Sequence, residues 1–291
     1  MKKICIINQP QGLGDILYLQ KIGYHYQDQG YEIYWPICDF YSSYISDYIK
    51  NFKYFPDSLD GYIKIGLNEK IHRLVHENPG QFGKIYDGIV GDINLKIVPT
   101  NHLPNIQAAN PEIMPNPGTI QKRKYSFVGV PDSDWPDYLH INRNTDKEND
   151  LYHNVLKIKD GEDYALVNTF LGTPPHFVSE FNFILDNFLK SSSGKKGLRY
   201  ISVEFLDQFT LFDWMKVIEN AKEIWMEGSS ITWICEKLKL KAEKLVLYQR
   251  NGSFNSEMHN LFSHPWSEHG VDVDSLVNIP LRNKSEKNNI I

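Results

Sequence analysis

The sequence predicts an α/β chain with two domains, each built on a parallel β-sheet. Three observations predict it: a length of 291 residues, several short apolar β-branched segments, and a regular alternation of these with amphipathic segments. One domain usually takes about 100–200 residues, so this length indicates two. Strands that alternate with helical patterns form βαβ units, and the strands of such units pair in parallel.

The N-terminal half opens with one βαβ unit. KICIIN at 3–8 is a short apolar run, which is typical of a strand buried on both faces. Apolar residues then recur at three- and four-residue spacing over 16–26, as in a helix packed on a sheet. YEIYWPI at 31–37 is the second predicted strand. IYDGIVGDI at 85–93 is interpreted as a further buried strand followed by a loop, and the Pro-, Asn- and Gln-rich stretch 99–125 as irregular with room for a short helix.

The second half repeats this alternation. Four apolar segments are predicted to be strands, the third of them running into a turn: 164–168, 200–205, 223–230 and 244–249. Three amphipathic segments are predicted to be helices: 177–190, 210–221 and 231–240. The predicted domains are therefore 1–155 and 156–282, each Rossmann-like, and 283–291 is a polar tail expected to fray.

Composition and charge exclude several classes of protein. The net charge of −5 and the pI of about 6.1 indicate no basic face, which argues against a nucleic-acid partner. The three cysteines are far apart and odd in number, which favours a reducing compartment over a disulfide framework. No window reaches the ~20 apolar residues of a transmembrane helix, and the N-terminal apolar run is too short for a signal peptide. The sequence predicts a cytoplasmic protein without a transmembrane segment.

The first candidate site is the loop NQPQGLGD at 8–15. A dinucleotide fingerprint needs a third glycine where Leu17 stands, and no Gly-Lys-Ser/Thr follows, so neither common phosphate motif is present. Asp15 at the mouth of a helix has two interpretations. It stabilises the helix N-terminus, or it faces a substrate that Gly12 and Gly14 allow to approach.

The second candidate site is the turn EGSS at 227–230, after a predicted strand. Ser229 and Ser230 begin a helix whose first N–H groups, on Ser230 and Ile231, would be free to bind an anion. Glu227 stands where a carboxylate could accept hydrogen bonds from ribose hydroxyls. The alternative is a serine that only caps its own helix.

Together, KICIINQPQGLGDILYLQK and EIWMEGSSITWICEKL resemble the metal-independent glycosyltransferases of the GT-B fold. The resemblance is closest to the ADP-heptose:lipopolysaccharide heptosyltransferase type. It implies two Rossmann-like domains facing a cleft, with the acceptor on the N-terminal domain and the nucleotide-sugar on the C-terminal domain. In this resemblance Asp15 is the candidate general base, and Gln11, Gly12 and Gly14 form the acceptor loop.

The same resemblance implies a donor site in the second domain. The loop NTFLGTPP at 168–175 has no lysine, which leaves hydroxyl and backbone groups to bind the diphosphate. The predicted donor-binding residues, in chain order, are Thr169, Leu171, Gly172, Thr173, Glu227, Ser229, Ser230 and Ile231. Glu204, in the predicted strand YISVEF, is a further candidate near the base or ribose, with a surface strand position as the alternative.

The expected function is transfer of a sugar from a nucleoside-diphosphate-sugar to a glycan or other hydroxyl acceptor, with inversion and without a metal or cofactor. A nucleotide-sugar epimerase of the same fold and a non-catalytic nucleotide- or sugar-binding module are the alternatives. A dinucleotide oxidoreductase is disfavoured by Leu17. His72 and His76 have zinc-ligand spacing on a helix, but Arg73 stands where a metalloprotease motif needs glutamate, so no metal site is expected.

Overall fold

The structure is a computed structural model that describes residues 1–77, 84–102, 120–173, 177–180, 182–250, 261–271 and 278–279. The chain divides into two compact units, Met1–Arg143 with Asn255–Leu261 and Asn144–Phe254 with Phe262–Ile291. Each unit contains a five-stranded sheet in which most neighbouring strands are parallel. The predicted α/β class is therefore confirmed. The predicted tail at 283–291 lies outside the described residues.

The first unit is built on five strands: β1 Lys2–Ile7, β2 Glu32–Ile37, β3 Lys53–Pro56, β4 Tyr86–Val90 and β5 Ile93–Val98. Their order in the sheet is β3-β2-β1-β5-β4. Only β4 is antiparallel to its neighbour. Cys5, Ile6 and Ile7 are fully buried, because β1 is the central strand with both faces covered.

Helices connect and cover these strands. Those of the first unit are α1 Leu13–Tyr18, α2 Gln20–Gln27, α3 Asp39–Ser42, α4 Ile45–Tyr48, α5 Leu59–Lys64, α6 Glu69–His76 and α7 Ile120–Val128, with 3₁₀ turns at Thr100–His102 and Trp135–Tyr138. One expectation needs correction. The segment 85–93 is not a buried strand followed by a loop but the first part of an antiparallel hairpin, whose residues alternate in exposure and turn at Gly91. The stretch 99–125 does hold a short helix at its end, because α7 begins at Ile120, and 103–119 lie outside the described residues.

The second unit has eight described strands: β6 Ala165–Asn168, β7 Phe170–Thr173, β8 Phe177–Glu180, β9 Tyr200–Ser202, β10 Glu223–Glu227, β11 Lys244–Arg250, β12 Ser267–Val271 and β13 Asn278–Ile279. Five of them form a sheet that is parallel throughout, in the order β12-β11-β10-β6-β9. Of these five strands β6 comes first along the chain, and it lies between the next two, β9 and β10. The same arrangement occurs in other doubly wound sheets.

The helices of the second unit are α8 Thr145–Asn149, which continues into a π-helical turn at Asp150–Val155, then α9 Asn182–Lys190, α10 Ser192–Lys195, a 3₁₀ turn at Leu211–Trp214, α11 Met215–Asn220 and α12 Ser230–Cys235. Thr210 and Asp213 form a capping box at the start of this 3₁₀ turn, in which the Thr210 backbone N–H donates to Asp213 Oδ2 over 2.7 Å.

A small antiparallel sheet, β13-β8-β7, was not expected. The predicted helix 177–190 begins only at Asn182, because 177–180 form β8, which pairs with β7. Phe177 and Phe181 have helical spacing in the sequence, but FVSE also suits an extended strand, and hairpin pairing with β7 decides between them.

Both main sheets have a switch point, where the chain order of the strands reverses. In the first sheet it lies between β1 and β5, and in the second between β6 and β10. Crevices at the carboxyl ends of such strands are where open α/β sheets bind ligands. The loop that begins at Asn8 and the turn that begins at Gly228 each follow one of these strands.

Candidate functional site

Backbone hydrogen bonds join the ends of β1 and β5 at the switch point of the first sheet. The Asn8 N–H donates to the Val98 carbonyl over 2.9 Å, and the Asn101 N–H donates to the Asn8 carbonyl over 2.9 Å. The Thr100 hydroxyl donates to the same Asn8 carbonyl over 3.2 Å. These bonds join the residue after β1 to the end of β5 and the residues that follow it, and they fix the start of the loop 8–15.

Gly12 sets the geometry of the loop that follows β1. Its φ of +76° lies in the left-handed region, which glycine adopts without steric cost because it has no Cβ. A Cβ at this position would lie 2.9 Å from Asp15 Oδ2. Gly12 therefore allows both the turn into α1 and the position of the Asp15 carboxylate in the first turn. Gly14 is buried within α1.

Asp15 is the sequence-predicted base, and its side chain is 26% exposed. Its Oδ1 lies 2.9 Å from the Nζ of Lys124, close enough for an ion pair, although the angles are not those of a hydrogen bond. Gln9 completes the contact: Lys124 Nζ donates to Gln9 Oε1 over 2.9 Å, and Gln9 Nε2 donates to the Gln11 carbonyl over 2.7 Å.

Gln9 lies within the predicted loop 8–15 but was given no role there, and Lys124 was not predicted for this site. Lys124 belongs to α7 and is separated from Gln9 by 115 positions. Its side chain is only 4% exposed, which is unusual for a lysine. The sequence contains no motif around Lys124 that would have indicated this contact.

Tyr41 of α3 lies beside the same loop. The Leu13 backbone hydrogen-bonds to its hydroxyl, and burial raises its pKa to about 12. The neighbouring Cys38 N–H donates to the Pro10 carbonyl over 2.8 Å. The chain that follows β2 therefore supports the loop that follows β1.

The switch point of the second sheet brings together residues from β6 and the turn after β10. Asn168 and Thr169 are 2% and 3% exposed, and Asn168 Nδ2 donates to Ser229 Oγ over 3.3 Å. The Ser229 N–H donates to the Thr232 hydroxyl over 3.3 Å, which caps α12. Ser230 and Ile231 occupy the first turn of α12, where N–H groups have no acceptor within the helix.

The other predicted donor residues lie in different surroundings. Glu227 is the last residue of β10 and is fully buried. Glu204 is exposed, two residues beyond β9, and lines a cavity of about 440 Å³ together with Arg199, Ser202 and Trp214.

Leu171, Gly172 and Thr173 are extended and paired rather than part of an open loop. They belong to β7, where they pair with β8 in register Leu171↔Ser179, Gly172↔Val178 and Thr173↔Phe177. Strand pairing engages part of their backbone, so fewer N–H groups remain for a ligand than in an open loop.

Comparison of the structure with solved structures gives the fold. The crystal structure of a glycosyl transferase family 9 protein from Veillonella parvula DSM 2008 matches with a TM-score of 0.51 and 10% sequence identity, over 93% of this chain and 86% of that one. The chain shares the GT-B fold. The likeness suggested by the two sequence motifs is thus confirmed as a likeness of fold.

Escherichia coli heptosyltransferase WaaC also aligns with this GT-B chain. Its structure with ADP gives a TM-score of 0.45 at 9% identity over 93% of each chain, and its structure with ADP-2-deoxy-2-fluoro heptose gives 0.44 at 9% identity over 92% of each. No protein-family model and no curated protein matches the chain by sequence.

The histidine pair of this GT-B chain lies on α6. Its two rings are 4.5 Å apart, and His76 Nε2 lies 3.0 Å from Asp57 Oδ1. Burial, and then the charge of His76, lower the pKa of His72. Within the described ranges, no group of three or more His, Cys, Asp or Glu side chains is placed to hold a metal ion.

None of the described helices of this GT-B chain is both long enough and apolar enough to cross a bilayer.

Proposed function

We propose that the chain is a glycosyltransferase that moves a sugar from a nucleoside-diphosphate-sugar to a hydroxyl acceptor. One observation carries the proposal: the two loops singled out in the sequence each follow a strand at the switch point of a sheet, in a chain with the GT-B fold. In open α/β sheets, ligands bind at such positions.

The donor nucleotide is assigned to the switch point of the second sheet. The side chains of Thr169 and Ser229 and the first N–H groups of α12, on Ser230 and Ile231, are uncharged donors suited to a diphosphate. Such donors bind a phosphate without a bridging cation, which favours a metal-independent reaction. The donor-binding roles of Leu171, Gly172, Thr173, Glu204 and Glu227 belong to the same proposal.

The acceptor is assigned to the loop around Gln11, Gly12 and Asp15. Asp15 takes the proton from the acceptor hydroxyl as a general base. The oxygen then forms a bond to the anomeric carbon while the bond from that carbon to the diphosphate breaks, and the configuration inverts. The leaving nucleoside diphosphate carries the developing negative charge, which hydrogen-bond donors around Ser229 would stabilise.

Two other functions use the same sites and differ in a measurable product. An epimerase-like enzyme would convert or consume the nucleotide-sugar without an acceptor. A non-catalytic binding module would bind the nucleotide-sugar and leave it intact. Incubating the protein with nucleotide-sugars in the absence of an acceptor, and analysing the products by chromatography, separates the three.

The test that comes first is thermal unfolding with UDP, GDP, ADP and CMP, each with magnesium and with chelator. A ligand at 100 times its Kd adds about 2.7 kcal/mol to the free energy of unfolding. We expect one nucleoside diphosphate to raise the Tm equally in both conditions. No shift with any of them contradicts the proposal, and a shift lost on chelation contradicts its metal-independent form.

A further inference from the structure

Lys124 is a buried lysine whose ammonium group reaches the Asp15 loop from a distant helix. Its Nζ lies 2.9 Å from Asp15 Oδ1 and 2.9 Å from Gln9 Oε1, and its side chain is 4% exposed. An ammonium group removed from water is costly unless it is paired and hydrogen-bonded. The ion pair with Asp15 and the hydrogen bond to Gln9 therefore fix the position of the ammonium, and the ammonium in turn fixes these two side chains.

The helix that carries Lys124 is itself held against α1. The hydroxyl of the next residue, Tyr125, donates to the Tyr18 carbonyl over 2.5 Å, and the two rings are 4.8 Å apart. Tyr18 ends the helix that begins with the Asp15 turn, and its hydroxyl donates to Asp132 Oδ2 over 3.2 Å. The Lys124 ammonium is thus attached to a rigid support.

The two carboxylate oxygens of Asp15 have different surroundings. Oδ1 is buried and faces Lys124. Oδ2 lies over Gly12, where the glycine leaves room that a side chain would fill. With Oδ1 held, rotation of the carboxylate is restricted and Oδ2 keeps one orientation.

We propose that Lys124 is the positioning residue of this site: it holds Asp15 through Oδ1, so that Oδ2 is the oxygen that meets the acceptor hydroxyl. The inference rests on the proposed transferase function. Lys124 acts through Asp15 and touches no substrate. The competing explanation is that Lys124 only stabilises the fold.

The chain offers a matched control for that explanation. Lys21 is also a buried lysine of the first unit, with its side chain 9% exposed. It forms an ion pair with Asp134 and donates to the Pro131 carbonyl over 2.7 Å. Lys21→Met removes a buried ammonium as Lys124→Met does, but away from Asp15.

The experiment compares sugar transfer by wild type, Lys124→Met, Lys124→Arg and Lys21→Met, with UDP-glucose, GDP-mannose and ADP-glucose as donors and p-nitrophenyl glycosides as acceptors. A catalytic group displaced by ~1 Å costs about 100-fold in rate, so we expect Lys124→Met to lower kcat by about that factor. The KM for the donor should not change, Lys124→Arg should recover part of the rate, and Lys21→Met should match wild type. Wild-type kcat in Lys124→Met overturns the inference, as does an equal loss in Lys21→Met.

If the wild type transfers no sugar, that result counts against the transferase proposal itself. A second measurement, which does not depend on activity, then tests the contact between Lys124 and Asp15. Urea unfolding of Asp15→Asn, Lys124→Met and the double variant forms a double-mutant cycle. We expect the double variant to lose less free energy of unfolding than the sum of the losses in the two single variants. The ion pair of Lys21 and Asp134, tested with Lys21→Met and Asp134→Asn, should show the same kind of coupling. Strictly additive effects at Asp15 and Lys124 overturn the inference independently of activity.

Discussion

Asn168 donates through Nδ2 to Ser229 Oγ over 3.3 Å, which joins the end of β6 to the turn after β10. These two strands are neighbours in the sheet, with Asn168 opposite Met226, and the contact lies where they end. A hydroxyl whose lone pair accepts from Asn168 keeps its own proton free to donate to a phosphate oxygen.

Ser229→Ala is therefore expected to weaken binding of the nucleoside diphosphate by about 1.5–3 kcal/mol, the range for a hydrogen bond to a charged group. Titration calorimetry measures the change in Kd. Ser191→Ala is the matched control, because Ser191 also caps a short helix and accepts the Gly194 N–H over 3.2 Å. Both variants should lose about 1 kcal/mol of stability through the cap. A Kd that changes equally in both would remove Ser229 from the site.

Asp15→Asn is expected to abolish sugar transfer and to leave binding of the nucleoside diphosphate intact. The amide cannot take a proton from a hydroxyl, but it has the size of the carboxylate and its oxygen can lie beside the Lys124 ammonium, so the loop should keep its shape. Steady-state kinetics measures the first effect and calorimetry the second. Asp134→Asn, which alters the partner of Lys21, should transfer at the wild-type rate. Transfer by Asp15→Asn at the wild-type rate would remove Asp15 as the base.

Gly12→Ala should lower both stability and activity. Alanine at a φ of +76° costs roughly 1–2 kcal/mol, and its Cβ would press on Asp15 Oδ2 at 2.9 Å. Gly129 has a φ of +75° with nothing within 4 Å of an added Cβ, so Gly129→Ala carries the backbone cost alone. Gly12→Ala should unfold at the lower urea concentration of the two, because it adds the contact with Asp15 to the same backbone cost, and only Gly12→Ala should lose sugar transfer. Equal activities would show that the Gly12 contact with Asp15 is not needed for the reaction.

The central strands could be predicted from the sequence because burial on both faces leaves a readable pattern. Cys5, Ile6 and Ile7 form a continuous apolar run, and the structure buries all three completely. The position of the two candidate loops after β1 and β10 could also be predicted, since each directly follows such a run. The order of strands in each sheet, and hence the switch points, could not be derived from these local patterns.

Contacts between distant segments left no signal in the sequence. Lys124 pairs with Asp15 only because α7 packs on α1, and that packing depends on Tyr125 and Tyr18. Likewise, the helical spacing of Phe177 and Phe181 predicts a helix where the structure has β8. Its pairing with β7 is a tertiary interaction that overrides local preference.

The stability of the first unit should fall as the pH is lowered below about 6.5, the ordinary pKa of histidine. Burial and the nearby charge of His76 lower the pKa of His72 in the folded chain, while Asp57, Glu69 and Glu77 oppose the shift. The unfolded state then binds protons more readily, so stability is present above pH 6.5 and is lost as the pH falls through the lowered pKa. Urea unfolding between pH 5 and 8 measures this slope.

His72→Gln is expected to flatten that slope, because it removes one group whose proton affinity differs between the folded and unfolded states. His25, on α2, also has a pKa lowered by burial, so His25→Gln should flatten the slope separately. The two histidines lie on different helices, and their effects should add. An unchanged slope in His72→Gln would mean that burial and the neighbouring His76 do not favour the neutral form of His72 in the folded chain.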